Sequence, residues 1–517
     1  MTTSLPPTRT TTPSQPSRYN TPPPPPSKAI PTDFKSSLSA WWSNSSYKEA
    51  RYAEDRLLRR LAMFEPPSAP PPSKGWFGWS GAEPTTTVPP LESRLDAIGR
   101  EIGDARAGDE VVHPLPVTGT GLVATLRNVF IPTPDPALAP AHPADLVTPS
   151  PAGSASSSSS SLSNSEKKHR QAHHHSHKSK HEDYINTLEI SNAENATSRE
   201  AVVVMHGYAA ALGFFFRNWE SIAVSGSATG RRTFFLDWLG MGLSSRPDPQ
   251  LLHSPATAAV PARVARAEHF FLSSLESWRE ATGIDRMVLV GHSLGGYLAS
   301  AYAVRYPHRV SGLIMVSPAG VPHGPNYQRY RPSGEKNEGD REEAANAVEQ
   351  EMGSIEPEAK VFVWGWEHGL SPFSILRGIG PWGPMLVGRY SSRRFASQNE
   401  EDIRDLHSYI YNTSIMKGSG EYCISHILAP GAYARVPIVD RIAHLKIPVV
   451  MLYGDNDWMD VDGGHASVEE LRKAGNNKAT VHIVPKAGHH VYLDNPESTN
   501  RIIDEAIKAM PRVGEAQ

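Results

Sequence analysis

The stretch Val288-Leu-Val-Gly-His-Ser-Leu-Gly-Gly296 decides the fold of this chain. It continues the short apolar run 286–290, which is typical of a strand buried on both faces of a parallel sheet. The residues after it have helical character, so Ser293 lies on a sharp strand-to-helix turn of the Gly-x-Ser-x-Gly type. Gly291 and Gly295 leave room for a strained serine backbone at such a turn. A bare Gly-x-Ser-x-Gly is common by chance, so the strand and the helix around it carry the prediction of a nucleophile elbow.

Composition and charge limit the classes of function. The chain has 517 residues and a formal net charge of −3, which gives no overall basic field, so nucleic acid is not an expected partner. Cys423 is the single cysteine, which excludes an internal disulfide and favours a reducing, intracellular compartment. No run of about 18 apolar residues is present, so we expect no membrane-spanning helix.

The N-terminal region, residues 1–110, is expected to be largely disordered because proline, serine and threonine dominate it. One helical segment, 34–64, stands out within it. Its first apolar residues come at helical spacing: Phe34, Leu38, Trp41 and Trp42. The adjacent Trp41 and Trp42 suit a membrane interface, where the indole ring is buried and its N–H stays wet. The alternative is that this helix packs on the main domain, and Trp76-Phe-Gly-Trp79 is a weaker second candidate for membrane contact.

The first residues also bear on the compartment. They lack the apolar core of a secretory signal, and they are poor in acids and rich in serine, threonine and arginine, as mitochondrial addresses are. Their prolines disfavour the amphipathic helix that such an address forms. We expect an intracellular protein attached peripherally to a membrane surface, with the mitochondrion as the first compartment and the lipid droplet or the cytoplasm as alternatives.

Beyond the N-terminal region, apolar strands alternate with helical segments, which predicts a mostly parallel, doubly wound α/β sheet. The expected strands are 119–131, two runs that begin at 201 and 233, and then 286–290, 312–317, 447–454 and 479–484. The last helix is expected over 496–510, because Asn495 is a good N-cap residue and Pro496 a good first residue.

Two segments interrupt this rhythm. We predict a first part of the core over 111–320, a helical cap with an apolar underside over 321–440, and a second part of the core over 441–517. A disordered insertion, 133–181, interrupts the first part and contains His173-His-His-Ser-His177. Clustered histidines can bind metal, but a disordered flank supplies no fixed geometry, so we interpret the insertion as solvated and predict no metal and no cofactor.

A serine hydroxyl becomes a useful nucleophile when a base takes its proton and a third group orients that base. In sheets with such an elbow the chain order is serine, acid, histidine. The loop after the strand at 447–454 carries three acids, of which Asp457 is the predicted orienter, Asp460 its rival and Asp455 a turn residue. The loop after the last strand carries His489, the predicted base, and His490, the fallback.

Two backbone N–H groups are predicted to form an oxyanion hole for the developing negative charge. Leu294 follows the nucleophile, and Tyr208 follows the His206-Gly207 pair at the end of the predicted strand that begins at 201. Each such donor typically contributes about 10²–10³-fold to the rate.

The chain resembles the α/β hydrolases of glycerolipid metabolism, on the combination of its motifs rather than on any one of them. The motifs are His206-Gly-Tyr, Asp237-x-x-Gly-x-Gly-x-Ser-Ser, Gly291-His-Ser-Leu-Gly-Gly, Gly380-Pro-Trp-Gly, Tyr453-Gly-x-x-Asp-Trp-Met and Gly488-His-His-Val-Tyr-x-Asp494. That branch includes the lysophosphatidic acid acyltransferase-like proteins, the co-activator of triacylglycerol lipase and the fungal cardiolipin-specific deacylase. The likeness covers roughly Phe34 to Pro511 without the insertion.

The resemblance implies an α/β-hydrolase fold with an inserted helical cap and an activity on phospholipids. Hydrolysis of acyl esters, with cardiolipin as the first substrate, is the expected reaction, and it needs no metal or organic cofactor. Acylation of a lysophospholipid by acyl-CoA is the alternative within enzymes, and a non-catalytic regulator of a lipase at lipid droplets is the alternative outside them. The co-activator lacks the nucleophilic serine that this chain keeps as Ser293, which favours an enzyme.

Two further features of the resemblance concern single residues. The run Ala209-Ala-Ala211 stands where glycines are common in the family, and it is expected to narrow the oxyanion loop. The pattern His489-x-x-x-x-Asp494 matches one from which acyltransferase activity has been argued in this family. Because Ser293 already needs His489, we interpret Asp494 as a capping residue near the last helix, and we expect any acyl transfer to pass through an acyl-Ser293 intermediate.

Overall fold

The computed structural model describes residues 23–43, 46–61, 63–64, 121–143, 182–252, 254, 258–324, 363–367, 369–396 and 398–511. Trp76-Phe-Gly-Trp79 and the His173–His177 cluster lie outside these ranges, so the predictions on them stay predictions.

The strands form one sheet. They are β1 (Val123–Pro132), β2 (Glu182–Ser191), β3 (Glu200–Met205), β4 (Arg232–Leu236), β5 (Arg286–His292), β6 (Val310–Val316), β7 (Val449–Gly454) and β8 (Ala479–Val484). Their order in the sheet is β1-β2-β4-β3-β5-β6-β7-β8. The pairs from β4 through β3 to β8 are parallel, whereas β2 is antiparallel to both β1 and β4. The predicted mostly parallel sheet is therefore confirmed.

Helices cover both faces of the sheet and bury two apolar cores against it. They are α1 (Phe34–Trp42), α2 (Ser46–Leu58), α3 (Trp219–Ala228), α4 (Val260–Ala281), α5 (Leu294–Arg305), α6 (Pro372–Gly378), α7 (Gly383–Arg394), α8 (Glu400–Ile415), α9 (Ile424–Ile427), α10 (Val461–Lys473), α11 (Val491–Asp494) and α12 (Pro496–Ala509). Helices α6 to α9 come between β6 and β7 in sequence, within the stretch predicted to be the cap. Among the described helices, none combines the length and the apolar composition that a membrane crossing requires.

Strand β2 has no counterpart among the predicted strands, because its sequence, Glu-Asp-Tyr-Ile-Asn-Thr-Leu-Glu-Ile-Ser, is rich in polar residues. Two of them, Asn186 and Thr187, are nevertheless fully buried. The Thr187 hydroxyl accepts a hydrogen bond from the indole N–H of Trp278, at 3.1 Å. Buried polar groups of β2 are hydrogen-bonded to partners that are distant in the sequence. The local pattern of residues therefore does not reveal that this stretch is a buried strand.

The predicted helix 34–64 is in fact two helices with different surroundings, α1 and α2. Helix α2 packs into one of the two apolar cores through Ala50, Ala53, Leu57 and Leu58. It is also joined to α8 of the cap region, because Arg56 and Arg60 form ion pairs with Asp402 and Asp405. The charged half of the predicted membrane-association segment is therefore part of the folded core, and the exposed tryptophans of this segment lie on α1.

The predicted insertion begins too early. The described chain continues past 132, and the Thr133 hydroxyl donates to the Asp183 carboxylate at 2.6 Å. The Pro143 carbonyl accepts a hydrogen bond from the buried Arg441 at 2.9 Å. Residues 133–143 are thus held on the core by polar contacts, which could not be predicted from their Pro- and Ala-rich sequence.

Helix α2 contributes two residues to a buried polar cluster. The cluster consists of Arg51 and Glu54 of α2 with Asn186, Asp237 and Tyr409. The Arg51 guanidinium donates to the Glu54 carboxylate and to the Asn186 side-chain oxygen, both at 2.8 Å. The Asn186 amide nitrogen bridges the carboxylates of Glu54 and Asp237, each at 2.9 Å, and the Tyr409 hydroxyl donates to Glu54 at 2.9 Å. Burial raises the pKa of Glu54 to about 7, with Asp237 adding to the rise and Arg51 opposing it.

The cluster predicts a pH dependence of stability that Glu54→Gln should remove. Because the folded-state pKa of Glu54 is raised, its contribution is fully present below its unfolded pKa and is lost as the pH rises through about 7. The thermal midpoint of the natural protein minus that of the variant should decrease by a few degrees as the pH is raised from about 5 to about 8. The exposed Glu505→Gln on α12 is the matched control. A difference between natural protein and Glu54→Gln that stays constant with pH would contradict the prediction.

Candidate active site

The turn between β5 and α5 holds Ser293 in a strained conformation, with φ of 53° and ψ of −118°. Its N–H donates to the Val316 carbonyl at 2.9 Å, which fastens the turn to β6. A Cβ atom on Gly291 would lie 2.3 Å from the Gly295 carbonyl oxygen, and one on Gly295 would lie 2.6 Å from the Met205 carbonyl oxygen. The two glycines are therefore required by the close approach of backbone to backbone, as the sequence predicted.

The structure brings Ser293, His489 and Asp457 together in one hydrogen-bonded array. The Nε2 atom of His489 lies 3.0 Å from the Ser293 hydroxyl oxygen. The Nδ1 atom of His489 lies 3.2 Å from Oδ1 of Asp457. The loops after β5, β7 and β8 supply these residues, and all three loops lie at the carboxyl edge of the parallel strands, where such sheets place their ligands.

The electrostatics of the array favour an ionised Asp457. Burial alone would raise the pKa of this carboxyl group, but His489, followed by the Ser317 side chain and the Met459 N–H, outweighs burial and holds the pKa below its usual value. A charged carboxylate fixes the Nδ1–H tautomer of His489 and leaves Nε2 free to accept the Ser293 proton.

The rival residues occupy other positions. Asp460 is the N-cap of α10 and accepts from the Asp462 N–H at 2.9 Å. Asp455 accepts from the N–H groups of Lys486 and Ala487, both at 2.9 Å, and so ties the β7 loop to the β8 loop. The ring of His490 lies 5.2 Å from that of His292 and is partly buried. These contacts give Asp460, Asp455 and His490 supporting places beside the array.

His292, which precedes Ser293, was not predicted to have a role. Its Nε2 atom donates to the backbone carbonyl of His489 at 3.0 Å. Burial, followed by the neighbouring His489 and His490, lowers the pKa of His292 well below its usual value, so the ring is neutral. The histidine of the Gly-x-Ser-x-Gly turn thus holds the main chain of the predicted base, a link that sequence spacing does not show.

The predicted oxyanion loop follows β3 and lies against the nucleophile. A Cβ atom on Gly207 would lie 2.8 Å from Ser293 Cβ, so only glycine fits between Tyr208 and His206. Leu294, the other predicted donor, is the first residue of α5. Ala209 has a φ of 61°, a left-handed conformation that glycine adopts without strain and alanine does not.

Two residues after β4, Asp237 and Trp238, fix this loop, a role that the sequence motif does not indicate. The Trp238 N–H donates to Nε2 of His206 at 3.1 Å, and its indole N–H donates to the His206 carbonyl at 3.0 Å. The Asp237 carboxylate accepts from the N–H groups of Leu212 and Leu243, at 2.7 and 2.8 Å. Burial lowers the pKa of His206 to about 4, so His206 is a neutral bridge rather than a titrating group.

The prediction that Asp494 caps the last helix is wrong. Asn495 performs that role, since its side chain accepts from the Ser498 N–H at 3.1 Å. Asp494 instead accepts from the Gly488 N–H at 3.0 Å. It also forms a two-point ion pair with Arg394, the last residue of α7, at 2.9 and 3.2 Å.

Aromatic residues of α1 and of the cap region pack against each other. The ring of Phe34 lies 4.6 Å from that of Trp382, and the hydroxyl of Ser37 joins α1 to the Pro381 carbonyl at 2.6 Å. Trp42 is 80% exposed, and Trp41 and Trp382 are also exposed. The ring of Tyr208 packs under the cap, 5.1 Å from that of Phe373. The structure therefore places the predicted membrane-contacting tryptophans beside the cap region, which also contacts the predicted oxyanion loop through Tyr208.

The donor groups of this region do not form a metal site. Within the described ranges, no three His, Cys, Asp or Glu side chains are grouped as a metal ion would need.

Comparisons with known proteins identify the family. The sequence profile described as the alpha/beta hydrolase fold matches residues 200–496, more than half of the chain. A 1-acylglycerol-3-phosphate O-acyltransferase of Arabidopsis thaliana is 35% identical over 326 residues, which cover 62% of this chain and 68% of the relative. A (lyso)-N-acylphosphatidylethanolamine lipase of Homo sapiens is 32% identical over 331 residues, which cover 63% and 83%.

A third relative carries a name that the sequence resemblance anticipates. The 1-acylglycerol-3-phosphate O-acyltransferase ABHD5 of Rattus norvegicus is 32% identical over 321 residues, which cover 60% of this chain and 78% of the relative. The family profile spans every strand from β3 to β8, and the three matches extend over most of each relative. The chain belongs to the α/β-hydrolase family of lipid metabolism.

Proposed function

We propose that this protein is a serine hydrolase that cleaves an acyl ester bond of a phospholipid. The single observation that carries the proposal is the hydrogen-bonded array of Ser293, His489 and Asp457. A serine on a strained elbow, an imidazole nitrogen within hydrogen-bonding distance of its hydroxyl and a buried carboxylate behind that imidazole are the parts that acyl transfer through serine requires.

The reaction follows from these positions. The Ser293 hydroxyl oxygen attacks the ester carbonyl carbon while its proton passes to Nε2 of His489, and the N–H groups of Tyr208 and Leu294 receive the oxyanion. Collapse of the tetrahedral species breaks the ester C–O bond, and the protonated His489 gives its proton to the departing lysolipid alcohol. Water, deprotonated by His489, then attacks the acyl-Ser293 ester; the bond between the acyl carbon and Ser293 Oγ breaks, His489 returns the proton to Ser293, and the fatty acid leaves.

The choice of a phospholipid rests on the family. The relatives are named for an acylglycerol phosphate and for an acylated phosphatidylethanolamine, and both of these lipids carry a phosphate beside acyl groups. Within this class we propose cardiolipin as the substrate, on the resemblance of the motifs to the fungal deacylase. Acyl transfer to a lysophospholipid, favoured by the names of two relatives, is the second candidate, and it would use the same acyl-Ser293 with the lysolipid hydroxyl in place of water.

We also propose that the protein acts while bound to a membrane surface, with the mitochondrion as the compartment. A phospholipid ester lies below the head groups, so the enzyme must dock before a chain can pass under the cap. The exposed rings of Trp41, Trp42 and Trp382 support docking, because indole rings favour the membrane interface. Helices α1 and α7 carry no acidic residue, but they carry the basic residues Lys35, Arg389 and Arg393. This positive charge suits binding to an anionic lipid surface.

The first test of the proposal is Ser293→Ala. Release of fatty acid from vesicles that contain cardiolipin should fall by several orders of magnitude, because the nucleophile is lost. Labelling by a fluorophosphonate probe should disappear as well, while the thermal midpoint is retained. Ser392→Ala, an exposed serine on α7, is the control and should keep both signals. A folded Ser293→Ala protein that keeps more than a few per cent of the activity would refute the proposal.

The second prediction compares the two acids of the β7 loop. Asp457→Asn should lower kcat by about 10⁴-fold, the loss seen when a serine protease triad is changed in the same way, because His489 takes the wrong tautomer. Asp460→Asn should change kcat only a few-fold, since asparagine is also a good N-cap for α10. Hydrolysis of a soluble short-chain ester measures both. If Asp460→Asn proves the more damaging change, Asp460 is the acid and the assignment made here is wrong.

The third prediction concerns docking. The double change Trp41→Ala and Trp42→Ala should weaken binding to anionic vesicles by about 10-fold or more and lower activity on them, because two interfacial rings are removed. Hydrolysis of a soluble ester should be unaffected. Leu138→Ala is a matched control at an exposed apolar residue elsewhere, 70% exposed. Equal losses on vesicles and on the soluble ester would show that the tryptophans support the fold instead.

A further inference from the structure

The turn that carries His489 is held by contacts from three sides. Asp455 accepts from the N–H groups of Lys486 and Ala487, each at 2.9 Å. His292 donates to the His489 carbonyl at 3.0 Å. Asp494 accepts from the Gly488 N–H at 3.0 Å, directly before the imidazole-bearing residue. Main-chain groups on both sides of the His489 side chain are thus fixed by other side chains.

Of these three contacts, the one from Asp494 is also tied to the cap. Both Asp494 oxygens face the Arg394 guanidinium, with Nη1 at 2.9 Å from Oδ1 and Nη2 at 3.2 Å from Oδ2. The oxygen that receives Nη2, Oδ2, is the one that accepts from Gly488. Arg394 ends α7, so a displacement of this cap helix would pull on the carboxylate that holds the turn.

We propose that Asp494 is a positioning residue for His489, and that Arg394 makes this positioning depend on the seating of the cap helix α7. The inference rests on the proposed function, because it assigns Asp494 a part in the reaction of Ser293. Asp494 acts through the Gly488 peptide and does not touch the reacting atoms. A carboxylate that accepts two kinds of donor at once fixes the turn more tightly than a single hydrogen bond does.

Loss of Asp494 should affect the rate of the reaction much more than the stability of the fold. The ion pair is partly exposed, with side-chain exposures of 25% for Arg394 and 17% for Asp494. Such pairs contribute little to the free energy of unfolding. A shift of about 1 Å in a reacting group, in contrast, costs about 10²-fold in rate. Loss of Asp494 should therefore lower kcat with little change in the thermal midpoint.

This role also differs from a direct role of Asp494 in acyl transfer. If Asp494 acts only by holding His489, hydrolysis and acyl transfer fall by the same factor in its variants, because both reactions pass through the same acyl-Ser293. If Asp494 takes part in transfer alone, hydrolysis persists when it is removed. The two readings are thus separated by measuring both reactions on one variant.

The experiment uses the full-length protein with Asp494→Ala, Asp494→Asn, Arg394→Gln and the double change Asp494→Ala with Arg394→Gln. For each variant we would measure kcat and KM on a soluble short-chain ester, the rate of fluorophosphonate labelling, acyl transfer to a lysophospholipid and the thermal midpoint. Glu505→Gln, which breaks the exposed ion pair with Arg501, is the matched control.

We expect Asp494→Ala to lower kcat and the labelling rate by about 10- to 100-fold with KM nearly unchanged. Asp494→Asn keeps an acceptor for the Gly488 N–H and should recover most of the rate. Arg394→Gln should cost a few-fold, and the double variant should match Asp494→Ala, because Arg394 acts through Asp494.

Several outcomes would overturn the proposal. An unchanged kcat in a folded Asp494→Ala protein removes the positioning role, and a loss of acyl transfer alone replaces it with a direct one. A double variant whose losses multiply refutes the dependence on Arg394. Failure of the proposed function is recognised separately, because the natural protein would then resist fluorophosphonate labelling or Ser293→Ala would keep it.

Discussion

The whole site depends on a backbone conformation that side chains normally avoid, the positive φ of Ser293. The turn is held because Gly291 packs on the Gly295 carbonyl and Gly295 packs on the end of β3. Since the oxyanion loop leaves that same end of β3, the nucleophile and its predicted oxyanion donors are fixed by one set of contacts. Strain of this kind persists only where the surroundings over-determine it, and the buried parallel strands β3, β5 and β6 provide those surroundings.

A second constraint is the buried polar cluster that contacts the oxyanion loop. In it the carboxylates of Glu54 and Asp237 are buried together with the Arg51 guanidinium. Asp237 holds the loop through the Leu212 N–H, and Asn186 links it to Glu54 and so to α2. Breaking such a cluster is costly, because a charge left without its partner remains buried. The N-terminal helix α2 therefore serves the site although it is far from it in sequence, and the Tyr409 hydroxyl extends the same network into the cap region.

Sequence reasoning worked where the signal is local. The apolar runs of β3, β5 and β7, the glycines of the elbow and the order of acid and histidine after their strands each depend on neighbouring residues. It missed β2, and it left open where the correctly predicted helical stretch of α2 packs, because the buried polar residues of both elements find partners across the fold. It also failed for Asp494, because capping needs only the adjacent helix, whereas the actual partner, Arg394, comes from α7. A buried polar group needs a hydrogen-bond partner that is near it in space, and the pattern of neighbouring residues in the sequence does not show that partner.

The geometry gives the spacing His489-x-x-x-x-Asp494 a structural explanation. The short helix α11 brings Asp494 back to the turn it follows, where its carboxylate closes on the Gly488 N–H. Any enzyme that needs a rigid histidine on this loop benefits from such a closure, whether water or an alcohol later attacks the acyl-serine. The pattern therefore does not by itself distinguish a hydrolase from an acyltransferase. That choice depends on which nucleophile reaches His489, and so on the cap, on the exposed Trp458 whose ring lies 5.1 Å from His489, and on the membrane surface beyond them.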